Sequence, residues 1–115
     1  MNFKNPFTII RIGLALVFFS NGLAAFLAPQ EFRELVENSF VTRLLPIPIP
    51  TFSIIIGIND LLVSLLLFFN IPKLKYVLIW ACLWLIGVMI VIAEPFAILE
   101  HLGFLSIALA LLLNP

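Results

Sequence analysis

The chain has very little charge for its length. Only 10% of its 115 residues are Asp, Glu, Lys or Arg, and six acidic side chains balance six basic ones. Proteins that bind nucleic acid or anionic surfaces through a tail carry a clear excess of positive charge. The zero net charge therefore gives no indication of a nucleic-acid partner.

Cysteine and histidine are nearly absent. The single cysteine, Cys82, lies inside an apolar run, so the chain has no intrachain disulfide and no Cys-x-x-Cys redox pair. One histidine and one cysteine do not make a zinc or iron site, and haem held by two histidines is excluded within one chain. We therefore predict no metal centre.

Apolar residues dominate what remains. They make up 63% of the chain, and the mean hydropathy is +1.25. A membrane-spanning helix needs about 20 mostly apolar residues. Four stretches satisfy this requirement and nearly exhaust the chain, at about residues 7–27, 52–70, 76–93 and 96–113. The sequence predicts an all-α fold, an integral membrane four-helix bundle that occupies residues 1–115 as one domain.

The connector after the first span has a helical pattern of its own. Pro29 suits a first helical turn, and the apolar side chains that follow recur at helical spacing: Phe32, Leu35, Val36 and Phe40. We predict a short amphipathic helix over about residues 29–40, lying at the membrane interface.

The basic residues predict an orientation. Lys4 precedes the first span, and Lys73 with Lys75 separates the second span from the third. Cytoplasmic loops carry an excess of lysine and arginine. This places both termini of a multi-pass protein of the cytoplasmic membrane in the cytoplasm, and the amphipathic connector on the extracytoplasmic side.

An aspartate near the middle of the second span organises the polar residues. Ser53, Gly57, Asp60 and Ser64 share one helical face, because they lie at i, i+4, i+7 and i+11. An ionisable side chain at mid-bilayer costs about 2.5–3.5 kcal/mol on insertion scales, so it normally faces the bundle interior and has a partner. We predict that Asp60 is buried and paired.

Several other polar side chains fall at a similar depth or in the outer half. The predicted cluster is Asn21, Asn59, Asp60, Glu100 and His101. Asp60 and His101 would form a titratable pair for acid–base chemistry, and a quinone headgroup or a small acid would fit such a site. The alternative is a network that only holds four helices in register, and both interpretations stay open at this point.

Arg11 lies about 6 Å into the first span. Its stripe includes Ala15 and Gly22, and the stripe of Asp60 includes Gly57 and Ser64, so the two faces are expected to meet. We predict a buried ion pair between Arg11 and Asp60. The alternative is that Arg11 extends to the lipid headgroups on its own.

Three stretches carry a family resemblance. Residues 11–18 (RIGLALVF) with Gly22 have the spacing Arg-x-x-x-Ala-x-x-Phe-x-x-x-Gly, residues 57–62 read GINDLL, and residues 100–105 read EHLGFL. They resemble segments of the DoxX family of small four-span membrane proteins. Asp60 stands where that family has Glu, Ser64 where it often has Gly, and His101 departs from its last-span pattern.

The resemblance implies a quinone-linked role or a place in a membrane redox complex, because DoxX relatives include such subunits. Quinone is then the candidate cofactor, and a redox-complex partner or a second copy of the chain is the candidate protein partner. The alternative function is a non-catalytic partner-binding module or a transporter of a small solute. Small multidrug transporters also have four short spans, but the first span here lacks their essential glutamate.

Overall fold

The computed structural model describes residues 3–30, 34, 37, 48–69, 71–92 and 95–113. This part of the chain contains four helices and no strand, which confirms the all-α class. The helices are α1 (Pro6–Leu27), α2 (Ile49–Phe68), α3 (Leu74–Ile92) and α4 (Pro95–Leu113).

Three of these helices are long and apolar enough to cross a membrane. They are Pro6–Leu27, Pro50–Phe68 and Pro95–Leu113. In α3 the apolar stretch Leu74–Ile90 is slightly shorter. The exposed surface of all four helices is rich in Leu, Ile and Phe side chains, as expected for helices in contact with lipid.

Local chemistry explains where the helices begin and end. The Asn5 side chain accepts a hydrogen bond of 3.0 Å from the Phe7 backbone N–H, and Pro6 occupies the first turn of α1. In α2, which begins three residues earlier than predicted, Pro50 also lies in the first turn, where its missing N–H is not needed. A short turn closed by Leu74 N–H to Ile71 O at 3.1 Å joins α2 to α3.

The helices pack most closely as two consecutive pairs. α1 lies against α2 and α3 lies against α4, while α1 with α4 and α2 with α3 make fewer contacts. Buried side chains from all four helices form one hydrophobic cluster that includes Leu14, Phe18, Leu67, Leu85 and Leu111. The α1–α4 and α2–α3 boundaries are therefore the looser sides of this cluster.

The predicted amphipathic helix falls mostly outside the described residues. Pro29, Gln30, Glu34 and Glu37 are helical. The apolar positions that define its predicted face, Phe32, Leu35, Val36 and Phe40, are not described, so this helix stays a prediction.

Candidate functional site

Asp60 is buried inside the protein. Its side chain is 4% exposed, and it lies on the same face of α2 as the buried Ser53, Gly57 and Ser64. By helical rise it is about 16 Å from the start of α2 at Ile49, close to the middle of the helix. The structure thus places a carboxyl group deep within an apolar helix, as the sequence predicts.

The partners of Asp60 come from α2 itself and from α3. Asn59 Nδ2 donates to Asp60 Oδ1 at 3.3 Å, and the Trp84 side chain lies within hydrogen-bonding reach of the same carboxyl group. Trp80 Nε1 donates to Asn59 Oδ1 at 2.8 Å. We call Asn59, Asp60, Trp80 and Trp84 the α2–α3 polar cluster.

The two indoles shape this cluster. Trp80 and Trp84 are one turn apart on α3, with ring centroids 6.0 Å apart and planes inclined by 31°. Trp80 is 48% exposed, whereas Asp60 is almost fully enclosed. The cluster therefore runs from a buried carboxyl group to an aromatic surface that lipid can reach.

Trp80 and Trp84 are not among the site residues that the sequence predicts. The depth of Trp84 along its predicted span is the signal that could have identified this pair as site residues. Trp84 lies ten residues after the first residue of α3, about 15 Å along the axis, whereas tryptophans that anchor a protein lie at the interfaces. An indole N–H at mid-depth needs a hydrogen-bond acceptor, and Asn59 and Asp60 supply acceptors at this level.

Arg11 has partners other than Asp60. Its Nη1 donates to the backbone carbonyl oxygens of Leu67 and Phe68, the latter at 2.8 Å. These carbonyls belong to the last turn of α2, about 10 Å along the axis from Asp60. The guanidinium thus caps the C-terminus of α2, and the predicted Arg11–Asp60 ion pair is not among the contacts of these two described residues.

Two serines on the Asp60 face differ in their bonding. Ser64 Oγ donates to the Ala15 carbonyl oxygen at 2.8 Å and ties α2 to α1. Ser53 Oγ is fully buried and has no hydrogen-bond partner among the described residues. The face therefore holds one hydroxyl that contributes to packing and one whose burial is uncompensated.

The remaining predicted site residues lie on α1 and α4. His101 Nδ1 is 2.7 Å from the Ala97 carbonyl oxygen of its own helix, and its ring packs edge-on against Phe104 at 5.6 Å. Glu100 is exposed and Asn21 is partly buried. Of the five predicted residues, the described hydrogen bonds join only Asn59 and Asp60, and the wider cluster stays a prediction.

The cluster offers hydrogen-bonding groups rather than metal ligands. No group of three or more His, Cys, Asp or Glu side chains lies together within the described ranges. A carboxyl group, a carboxamide and two indoles can bind a polar headgroup and stack against a flat ring.

Comparisons of the chain with protein-family models, with curated proteins and with solved structures find no match. The resemblance to the DoxX family therefore stays a prediction based on the three short stretches.

Proposed function

We propose that this chain is a four-span integral membrane protein whose helices form a bundle with both termini in the cytoplasm. The apolar helices fit a lipid bilayer, and the long axis of the molecule, 44 Å, is close to the thickness of a bilayer with its headgroups, about 40–45 Å. Each helix packs on its chain neighbour, and α4 also contacts α1. The basic residues support the orientation through the positive-inside rule.

Within this bundle, the function that the geometry supports best is binding of a quinone headgroup, as a quinone-linked or redox-complex subunit of the DoxX type. The observation that carries the proposal is the α2–α3 polar cluster. It combines a buried carboxyl group with aromatic surface open toward lipid, and quinones are flat, polar-ended molecules that dissolve in the lipid phase.

The roles of the cluster residues follow from their chemistry. The second N–H of the Asn59 carboxamide can donate to a quinone carbonyl oxygen, and the indole N–H of Trp84 can do so in exchange for its contact with the Asp60 carboxyl group. Asp60 can accept a hydrogen bond from a hydroxyl group of the reduced form, or donate one when protonated. The exposed ring of Trp80 offers a stacking surface at the lipid side.

The test is quinone binding by purified protein. We expect a short-chain quinone to raise the midpoint of thermal unfolding, and Asp60→Asn and Trp84→Phe to weaken its apparent affinity about tenfold or more, as expected when a hydrogen bond in a buried site is lost. Ser106→Ala is the matched control, because Ser106 is exposed and donates only to Leu102 O of its own helix. The proposal fails if no quinone shifts the midpoint, or if the cluster variants respond like wild type.

The second candidate is a partner-binding module, or a carrier of a small solute, and one observation favours a protein partner. α4 buries only Ala108 and Leu111 among its described side chains, and it exposes the carboxylate of Glu100. A charged group on a lipid-facing surface is costly unless another chain covers it. The two candidates differ in what Asp60→Asn does, because it weakens quinone binding in the first and leaves association with a partner intact in the second.

A further inference from the structure

The zero net charge conceals a separation of charge along the molecule. Residues 1–30 and 61–93 contain four of the six basic side chains and no acidic one. Residues 31–60 and 94–115 contain all six acidic side chains and the other two arginines. The four basic side chains of the first set are Lys4, Arg11, Lys73 and Lys75, and we call the region that they occupy the basic end.

The fold brings these four residues to one end of the molecule. Arg11 in the second turn of α1 binds the last carbonyls of α2, and Lys73 follows Phe68 by only five residues. Ile10, Ile71 and Leu74 pack against the same hydrophobic cluster. The start of α1 therefore lies beside the α2–α3 turn and the first turn of α3, which carry Lys73 and Lys75.

Arg11 has hydrogen-bonding capacity left over. Its side chain is 5% exposed, and only Nη1 has partners among the described residues. Nε and Nη2 of Arg11 are not fully enclosed. In the described part of the chain, Ser53 Oγ is the one side-chain polar atom that is both fully enclosed and without a hydrogen-bond partner. A guanidinium group presents five donors in a planar fork, which matches the oxygens of a phosphate.

The backbone contributes partial charges of both signs at this end, and Arg11 already binds the negative C-terminus of α2. α1 begins at Pro6 and α3 begins at Leu74, so two helix N-termini lie beside the basic side chains. Helix N-termini carry partial positive charge and favour anions. The basic end thus combines a buried arginine, an exposed lysine on the α2–α3 turn, an exposed lysine in the first turn of α3 and two helix N-termini.

We propose that the basic end binds the headgroup of an anionic phospholipid. Its phosphate is held between the free donors of Arg11 and the lysines 73 and 75, and its acyl chains lie along the exposed apolar side chains of the spans. Charge complementarity selects the occupant, because all four charged side chains of this end are basic and the site lies where an apolar helix surface meets a charged turn. This inference does not depend on the ligand of the α2–α3 polar cluster.

The test compares phosphatidylglycerol with phosphatidylcholine of the same acyl chains, added to the purified full-length protein in detergent. Lipid retention by native mass spectrometry and the unfolding midpoint are measured together. We expect phosphatidylglycerol to bind at least tenfold more tightly. We expect Lys73→Gln/Lys75→Gln to weaken that binding about 30-fold, which corresponds to about 1 kcal/mol for each lysine.

The control variant Arg33→Gln/Arg43→Gln removes the same charge from the connector and is expected to bind phosphatidylglycerol like wild type. Equal binding of the two lipids, or an unchanged affinity in the lysine variant, overturns the proposal. Inorganic phosphate at matched ionic strength is the third arm. If it produces the same stabilisation as the lipid, the site is one for a free anion and the assignment to a phospholipid is overturned.

Discussion

Two glycines determine how closely α1 and α2 approach each other. A Cβ atom on Gly57 would lie 2.8 Å from Ala25 Cβ and 2.8 Å from the Phe26 ring, and one on Gly22 would lie 3.1 Å from the Gly57 carbonyl oxygen. These distances are shorter than van der Waals contact, so the two helices touch almost backbone to backbone. Small residues allow this approach in membrane helices, and Ser64 then reaches the Ala15 carbonyl.

We therefore expect Gly57→Ala to destabilise the protein by about 1–3 kcal/mol, the usual cost of overpacking. Ala25 Cβ is fixed to the backbone of α1, so the helices must move apart to admit the new methyl group. The free energy of unfolding in mixed detergent micelles measures this effect. Gly13→Ala is the matched control, because a Cβ there meets no atom within 4 Å; equal losses in the two variants would show that the Gly57 contact is not limiting.

At the scale of the helices, Arg11 caps the C-terminus of α2. The last carbonyls of a helix have no partner within it and carry partial negative charge, so a cation at this position is favourable. Arg11 Nη1 binds two of these carbonyls, at Leu67 and Phe68. This links the second turn of α1 to the end of α2, and the ion pair between Arg11 and Asp60 stays a prediction.

A double-mutant cycle on Arg11 and Asp60 distinguishes the two arrangements. With Arg11 on the α2 terminus, we expect the losses in Arg11→Ala and Asp60→Ala to add within about 0.5 kcal/mol. The carbonyls that Arg11 binds lie about 10 Å along α2 from Asp60, and the two side chains share no partner among the described residues. Unfolding in mixed micelles gives the three free energies. If the double mutant loses at least about 1 kcal/mol less than the sum of the two single losses, the result supports the ion pair between Arg11 and Asp60.

The sequence predicts the helices well because apolar length is a strong signal, and it predicts the burial of Asp60 because a lone carboxyl group has to face inward. It does not predict the partners of the polar groups. The small-residue stripes predict that Arg11 faces Asp60, but Arg11 binds backbone carbonyls at the end of α2, and backbone acceptors do not appear in a side-chain pattern. Trp80 and Trp84 share a face in the sequence, yet periodicity does not say which neighbouring helix that face meets.

At the scale of the whole molecule, three groups of residues succeed one another along the direction of the helices. The basic end carries lysines and helix N-termini, the α2–α3 polar cluster lies near mid-depth, and Glu34 and Glu37 belong to the connector that precedes α2. A bilayer with an anionic cytoplasmic leaflet would orient such a molecule with its basic end inward. The proposed lipid site and the proposed orientation therefore depend on the same residues but can be tested separately.

Orientation is tested by cysteine labelling in intact cells with a reagent that does not cross the membrane. We expect Glu37→Cys to react from outside and Lys73→Cys to react only after the cells are opened, because the two positions lie on opposite sides of α2. Both positions are exposed, whereas the native Cys82 is buried and gives a low background, which Cys82→Ala removes. If both cysteines react from the same side, α2 does not cross the bilayer and the four-span arrangement is wrong. If the two sides are reversed, α2 still crosses, but the basic end faces outward and the positive-inside argument fails for this chain.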